Sequence, residues 1–139
     1  MSKSLATWFT PSLQTISRSA GRSAVAAAAY RACVKLIDQT TGLIHDYTRK
    51  RGHVETLLVG ADDISELWNK AEAAETRKNS TVARELMLPL PDQWTDNERR
   101  ACVLDIAQHL RDTYGVAAAG SIHAANRHDR NGHCHLMFT

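Results

Sequence analysis

The closing segment of the chain, residues 133–139, constrains the fold more than any other part of the sequence. Its apolar run at 136–138 has no polar break, and continuous runs of this kind are typical of a strand buried on both faces. Alternate side chains of a strand share a face, so His133 and His135 point one way and Cys134 points the other. We therefore predict a central strand that carries two imidazoles on one face.

Strand and helix patterns alternate through the rest of the sequence. Pro11 requires the first strand to lie at an edge or to contain a bulge. We predict strands over residues 7–16, 43–47, 53–59, 82–88 and 116–124, and helices over residues 24–37, 62–78 and from 95 to the glycine at 115. The prediction is an α/β fold with a largely antiparallel central sheet flanked by helices, in a two-layer or three-layer sandwich. With no repeat or linker-like stretch, residues 1–139 are expected to form a single domain.

Several helix boundaries have specific sequence signals. Ser23 is a good N-cap for the alanine-rich helix, and Thr95 with Glu98 forms a capping box before the last helix. The middle helix has apolar residues spaced by three and four, and its other face is charged. The predicted inward residues of that helix are Ile64, Leu67, Trp68, Ala71 and either Ala74 or Glu75.

Composition limits the compartment and the redox state. The chain has 139 residues, 43% of them hydrophobic, and no apolar run near the roughly 20 residues of a membrane helix. It also lacks a signal-peptide pattern, so we expect a cytoplasmic protein. Cys33, Cys102 and Cys134 are far apart in sequence and have no CxxC spacing. They are expected to be reduced thiols.

Charge is distributed unevenly despite a net charge of only +2. Residues 18–51 contain seven basic residues and two acids, whereas residues 52–100 contain ten acids and six basic residues. A basic N-terminal third suits contact with phosphate groups, although an ordinary solvated surface gives the same pattern. The candidate DNA-binding residues are Arg18, Arg22, Arg31, Arg49, Lys50 and Arg51.

Four of the seven histidines lie within 13 residues of one another. A hairpin that closes over residues 126–132 brings His123 beside His133 and His135, and three imidazoles leave open positions on a divalent ion. His128 in the loop is the competing third ligand. Carboxylates such as Glu85 or Asp129 are candidates to orient the imidazoles. Ordinary hydrogen-bonded histidines are the alternative explanation.

Tyr30 is the large reactive side chain on the alanine-rich helix, and Arg18, Arg22 and Arg31 flank it in sequence. A phenol is a weak nucleophile unless a cation or a base stabilises its anion. On pattern alone a helical tyrosine is more often a packing residue, and Tyr47 and Tyr114 compete for the role.

These blocks together resemble the MobA/MobL family of conjugative and mobilisation relaxases. The similarity covers nearly the whole chain after about residue 13, in ordered blocks. The matching blocks are residues 16–32, 45–50, 67–75, 83–91 and 122–137.

The resemblance implies a histidine-hydrophobic-histidine (HUH) endonuclease that cuts single-stranded origin-of-transfer DNA. The family's nucleophile matches Tyr30, which forms a 5′-phosphotyrosyl link, and its metal ligands match His123, His133 and His135, with Mg²⁺ or Mn²⁺ as the ion. Reversal of the attack recloses the strand. The implied partners include accessory relaxosome proteins and a type IV coupling protein, and the chain is expected to be a monomer. Trp8, Phe9 and Tyr47 are candidates for stacking on bases.

The sequence departs from the family pattern at two points. Met87 stands where relatives often have a second glutamate after the one that matches Glu85, so this sequence has only the first carboxylate of that pair. The chain ends at Thr139, directly after the histidine strand, so we expect it to lack the C-terminal part of the nicking domain.

Other functions compete with this one. One alternative is a rolling-circle replication initiator, although its tyrosine usually follows the histidines. Another is a truncated protein that binds origin DNA without cutting it. A zinc deaminase is disfavoured because its motif is absent.

Overall fold

The computed structural model describes residues 11–126 and 132–139. In chain order the elements are β1 (Ser12–Ser17), a 3-10 turn (Arg18–Ala20), α1 (Ala24–Ala32), β2 (Lys35–Ile37), β3 (Ile44–Asp46), β4 (His53–Val59), α2 (Ile64–Ala74), β5 (Thr81–Leu90), α3 (Asp96–Tyr114), β6 (Ala118–His123) and β7 (Gly132–Phe138).

Five of the strands form one antiparallel sheet in the order β1-β5-β7-β6-β4. Helices α1 and α2 pack on one face through a core that includes Trp68 and Met137. Helix α3 packs on the other face through Val103, Cys134 and Leu136. The prediction of an α/β fold with a largely antiparallel sheet flanked by helices is confirmed, and the layers number three. β7 is the middle strand, as its unbroken apolar run indicated.

Helix α1 begins where the sequence indicated but ends sooner. Ser23 accepts a hydrogen bond from the backbone amide of Ala26 at 3.3 Å, as an N-cap does. The predicted helix over residues 24–37 is wrong beyond Ala32, because Cys33 has φ 55°, in the left-handed region, and ends the helix. The chain then forms β2, which pairs antiparallel with β3 in a separate two-stranded sheet. Leu36 is buried beside α1, whereas its neighbours in the strand face outward.

Helix α2 is shorter than the predicted span of residues 62–78. Leu67 and Trp68 are buried, as the apolar spacing predicted. Ala74 is exposed, whereas Glu72, from the face expected to be charged and solvated, is 4% exposed. A buried carboxylate requires polar partners. Glu72 has such partners in the Arg18 guanidinium and the backbone amide of Ala24.

Two prolines lie where the sheet tolerates them. Pro11 precedes β1, which is an edge strand of the sheet. β5 was predicted to end at residue 88, but it continues through Pro89 to Leu90. Pro89 lies beyond Met87, which is the last described β5 residue to pair with β1. Among the described residues, β5 has no neighbour at Pro89 on the β1 side, and a proline is accommodated at such a position.

Helix α3 has the capping box that its sequence predicted. Thr95 accepts from the Glu98 backbone amide, and the Glu98 carboxylate accepts from the Thr95 amide. Gly115 ends the helix with φ 72°. No helix in residues 11–126 or 132–139 is long and apolar enough to cross a membrane.

Candidate active site

Among the described residues, four imidazoles meet at one end of the main sheet. His123 of β6 is the cross-strand partner of both His133 of β7 and His53 of β4. The ring centroids of His123, His133 and His135 lie 5.1 to 5.5 Å from one another, and the His53 centroid lies 5.8 Å from that of His123. The predicted hairpin therefore brings the three candidate ligands together. Pairing of β4 with β6 adds His53, which the sequence analysis missed.

His135 is held by a buried carboxylate. Its Nδ1 donates to Glu85 Oε1 at 2.9 Å, and the other carboxylate oxygen of Glu85 accepts from Arg31 Nε. Burial alone raises the pKa of Glu85, but the hydrogen bond from His135 and the Arg31 charge outweigh it, so the pKa is lowered. A neutral imidazole that donates from Nδ1 keeps the lone pair of Nε2 for another ligand. Glu85 thus fixes the orientation and tautomer of His135.

His123 connects the histidine cluster to helix α1. Its Nε2 donates to the backbone carbonyl of Arg31 at 2.7 Å. Burial lowers the pKa of His123 to about 4, and the nearby charge of Lys50 adds to this effect. The ring is therefore neutral at physiological pH. Because Arg31 directly follows Tyr30, this contact fixes the C-terminal end of α1 next to the imidazoles.

Tyr30 lies at that end of α1 with 46% of its surface exposed. Its ring packs edge-to-face against Tyr47, with centroids 5.1 Å apart. Lys50 Nζ lies 3.7 Å from the Tyr30 ring centroid and donates to the Tyr30 carbonyl at 3.2 Å. A cation over an aromatic ring is attracted by the ring's quadrupole. Tyr47 and Lys50 thus limit the motion of the Tyr30 ring while its outer side stays accessible.

The side chains of the cluster are of the chemical type that binds a divalent ion. His123 is a neutral imidazole, and His135 has an orienting carboxylate, as metal-binding histidines usually do. As the side chains stand, however, no group of three or more His, Cys, Asp and Glu residues in the described part of the chain is arranged to hold a metal. The rings of His123 and His133 are nearly parallel, 6° apart, and His123 Nε2 is occupied by the Arg31 carbonyl. Binding of an ion would therefore require rotation of at least one ring.

The six predicted DNA-binding residues divide into two groups. Arg18 pairs with Glu72 at 2.7 Å, and Arg31 pairs with Glu85, so both guanidiniums are bonded inside the protein. The same Glu72 accepts from the Ala24 amide at the start of α1, 2.6 Å away. These two arginines therefore stabilise the scaffold at opposite ends of α1. In the other group, Arg49 and Arg51 are exposed, whereas Arg22 and Lys50 are half-buried. Arg22 donates to the Thr15 carbonyl at 3.1 Å, and Lys50 lies against Tyr30.

The remaining residues that the sequence singled out lie at varying distances from the histidines. Met87 is the cross-strand partner of His135, so it shares the histidine face. Tyr114 is 69% exposed at the end of α3, on the helix that covers the opposite face. Four candidates lie outside the described residues, namely Trp8, Phe9, His128 and Asp129.

Comparison with known proteins identifies the family. The model of the MobA/MobL family matches residues 22–139. The chain is 39% identical to the mobilization protein MobL of Acidithiobacillus ferridurans and 33% identical to the conjugal transfer protein TraA of Rhizobium radiobacter, in each case over 92% of this chain. It spans 41% of the length of that MobL and 13% of that TraA. The architecture and the sequence match thus define a relaxase domain of the mobilisation and conjugal transfer proteins.

The chain belongs to the MobA/MobL family, as its sequence motifs indicated. A solved structure supports the same assignment. It is described as "Molecular Basis of Vancomycin Resistance Transfer in Staphylococcus aureus" and superposes with a TM-score of 0.83 at 28% identity, covering 94% of this chain and 69% of the other.

Proposed function

We propose that this chain nicks one strand of plasmid origin-of-transfer DNA and remains covalently attached to it, and that it thereby initiates and terminates plasmid mobilisation. The observation that carries the proposal is the contact between His123 and the carbonyl of Arg31, at 2.7 Å. Through it, the helix that bears an exposed tyrosine is fixed to a cluster of imidazoles. A nucleophile beside groups able to hold a phosphate-binding ion is the arrangement that phosphoryl transfer requires.

The covalent step exchanges one phosphoester for another. The phenolic oxygen of Tyr30 attacks the scissile phosphorus, the new P–O(Tyr) bond forms, and the P–O3′ bond breaks. The leaving 3′ oxygen keeps the bonding electrons and takes a proton, and the phenol loses one. The products are a 5′-phosphotyrosyl link and a 3′-hydroxyl. The reverse attack by a 3′-hydroxyl recloses the strand without another energy source.

His123, His133 and His135 are the residues that would hold Mg²⁺ or Mn²⁺. A bound divalent ion would supply positive charge that polarises a phosphate oxygen of the substrate. Three neutral imidazoles leave the charge of such an ion undiminished. Glu85 orients His135 for this role through the hydrogen bond at 2.9 Å, and so acts as a positioning residue.

The DNA strand is held mainly by the protein segment between β3 and β4. Arg49 and Arg51 are exposed there, and Lys50 lies between them against Tyr30. Cations beside the nucleophile attract the phosphates on both sides of the scissile bond. Accessory relaxosome proteins and a type IV coupling protein are further proposed partners of this DNA complex.

A second function, binding of origin DNA without cutting, is favoured by one observation. The described side chains are not arranged to hold a metal as they stand. In such a protein the basic segment would bind DNA, and the phenol of Tyr30 would not react.

A covalent-adduct assay separates the two functions. The protein is incubated with a single-stranded origin-of-transfer oligonucleotide and Mn²⁺ or Mg²⁺, and a protein–DNA adduct is sought on a denaturing gel. We expect an adduct from wild type and from the control Tyr114→Phe, and none from Tyr30→Phe. His133→Ala or His135→Ala should abolish the adduct and leave most of the DNA affinity, because phosphate contacts dominate binding.

Two results would contradict the nicking proposal. An adduct from Tyr30→Phe would show that another residue is the nucleophile. Binding of the oligonucleotide by wild type without any adduct, with both ions, would establish the non-cutting function instead.

A further inference from the structure

A groove of about 640 Å³ follows the outer side of α1. It extends from Tyr30, near the C-terminal end of the helix, to Arg22, just before its start. Its floor includes Ala26 and Ala27, whose small side chains leave the space open. The β2–β3 hairpin forms one wall, and the turn after α2 forms the other. Tyr30, the proposed nucleophile, therefore lies at one end of this groove.

The groove carries an excess of positive charge. Within the described part of the chain, five basic and two acidic residues line it. Both acids, Asp38 and Glu72, are buried and already bonded within the protein, to Ser23 Oγ and to Arg18. Beyond the two arginines already engaged by Glu72 and Glu85, the lining contains Arg22, Arg77 and Lys78. Arg22 also donates to the Thr15 carbonyl at 3.1 Å, and Arg77 lies 3.5 Å from the Glu75 carboxylate in an ion pair at the surface. Such a lining favours an anionic ligand.

One polar atom of the groove wall lacks a partner. His45 Nε2 is buried and has no hydrogen-bond partner among the described residues, and His45 lines the groove. Buried polar atoms are nearly always hydrogen-bonded, so this nitrogen, which faces an open groove, is available to a water molecule or to a polar group of a ligand. An imidazole nitrogen can donate or accept, depending on its tautomer.

Aromatic and apolar surface lies beside this nitrogen. Tyr47 and Tyr30 line the same groove, and Leu43, also in the wall, is 58% exposed. Aromatic side chains combined with cations are the means by which proteins bind single-stranded nucleic acid, since each base presents a π-face. The imidazole adds a group that can recognise the edge of an unpaired base.

We propose that this groove binds the nucleotides of the single DNA strand adjacent to the phosphate that Tyr30 attacks. One base packs against Tyr47 and hydrogen-bonds to His45, and the following phosphates lie near Arg77 and Lys78. The proposal rests on the proposed nicking function and adds to it the location of a base-recognition pocket. A duplex is excluded from the pocket, because its base edges are paired and its faces are stacked.

The test is binding of fluorescein-labelled, single-stranded oligonucleotides of random sequence, measured by fluorescence anisotropy. The Tyr30→Phe protein is used throughout so that cleavage does not interfere. Three further substitutions are made singly in this background: His45→Ala, Tyr47→Leu and Ala26→Met. The last of these fills the groove floor without removing a contact. His109→Ala is the control, because His109 is exposed on α3, on the other side of the sheet. Thermal melts by circular dichroism check that each variant is folded.

We expect Tyr47→Leu to weaken binding by about fivefold or more, and His45→Ala by about three- to tenfold, as for loss of one hydrogen bond. Ala26→Met should also weaken binding, and His109→Ala should not. In the double variant Arg77→Ala/Lys78→Ala, the slope of log K against log salt should fall by about 1.4. With homo-oligomers of each base, His45→Ala should reduce the difference between the best and worst base.

Affinities of the three groove variants within twofold of the control would overturn the proposal, as would equally tight binding of duplex DNA through the same residues. The adduct assay, run with Tyr30 restored, keeps this result apart from the nicking function. Weakened binding by the groove variants without any wild-type adduct supports the groove and rejects nicking. An adduct with unchanged binding supports nicking and rejects the groove.

Discussion

The two faces of strand β7 make contacts of different kinds at its start. Toward α3, Cys134 and Leu136 are fully buried and pack with Val103 in a core of apolar side chains. Toward α1, His133 and His135 lie among other imidazoles, and Glu85 accepts from His135. One face contributes packing, and the other carries the polar groups of the candidate site.

The difference between the faces shows that a few consecutive residues can specify both the packing role and the polar role. Side chains alternate between the faces with a period of two, so a shift of one residue would place the imidazoles against α3 and the leucine on the α1 face. The apolar α3 side fixes the register, and the register aims the histidines. Further along the same strand, Met137 on the α1 side is again in an apolar core. The polar cluster therefore occupies only the end of the sheet where β6 and β7 meet.

The largest expected effect comes from the packing face. Leu136→Ala should lower the free energy of unfolding by about 2–5 kcal/mol, because a fully buried leucine loses its contacts and leaves a cavity. Urea denaturation measures the change. Leu13→Ala is the control, since Leu13 is 62% exposed on the edge strand, and it should change stability little. A loss below about 1 kcal/mol for Leu136→Ala would mean that this face does not fix the register.

Local patterns in the sequence predicted much of this comparison. The alternation at His133, Cys134 and His135 gave the correct face for each side chain, and the apolar run after them gave the central position of β7. The caps at Ser23 and Thr95 also stand where they were expected. These features depend on residues a few positions apart, whose geometry is set by backbone periodicity.

The features that the sequence did not predict depend on distant pairings. Helix α1 ends early because β2 pairs with β3, and Glu72 is buried because it meets Arg18, 54 residues away. The same reason applies to His53, which joins the cluster only through pairing of β4 with β6. For Lys50, the sequence predicted only a contact with DNA. Its position over the Tyr30 ring follows from the path of the loop between β3 and β4. No local pattern encodes these contacts.

The second-largest expected effect is on metal binding, at the face of β7 that carries His133 and His135. Glu85→Gln should weaken Mn²⁺ affinity by about 10- to 100-fold, because an amide accepts more weakly from His135 and no longer fixes its tautomer. Isothermal titration calorimetry with Mn²⁺ measures this directly. Glu66→Gln, at an exposed position on α2, is the matched control. Unchanged Mn²⁺ affinity in Glu85→Gln would show that the carboxylate serves the scaffold through Arg31 alone.

A smaller effect is expected at the nucleophile. Lys50→Met should slow adduct formation by about two- to fivefold at saturating DNA, since the cation over the Tyr30 ring is lost. Lys50→Arg should keep most of the rate, and Arg51→Met, in the same loop, should raise KM more than it lowers kcat. The ring-current shift of the Lys50 ε-methylene protons, seen by NMR and lost in Tyr30→Leu, reports the contact without reference to activity. A Lys50→Met protein that loses only DNA affinity would make Lys50 a phosphate ligand.

The smallest expected effect concerns the reactivity of the Cys134 thiol, which lies between His133 and His135 in the sequence. Burial raises the pKa of the Cys134 thiol well above its usual range, so little thiolate forms at neutral or mildly alkaline pH. Iodoacetamide at mildly alkaline pH should therefore leave Cys134 unmodified in the native protein, as peptide mass spectrometry would show.

Because the raised pKa and the inaccessibility of the Cys134 sulfur both disappear on unfolding, labelling should follow the unfolded fraction across a urea titration. Leu136→Ala should shift that curve to lower urea, and Glu85→Gln should shift it less. Rapid native labelling would mean that the α3 face opens without unfolding, and the packing role of that face would then be wrong.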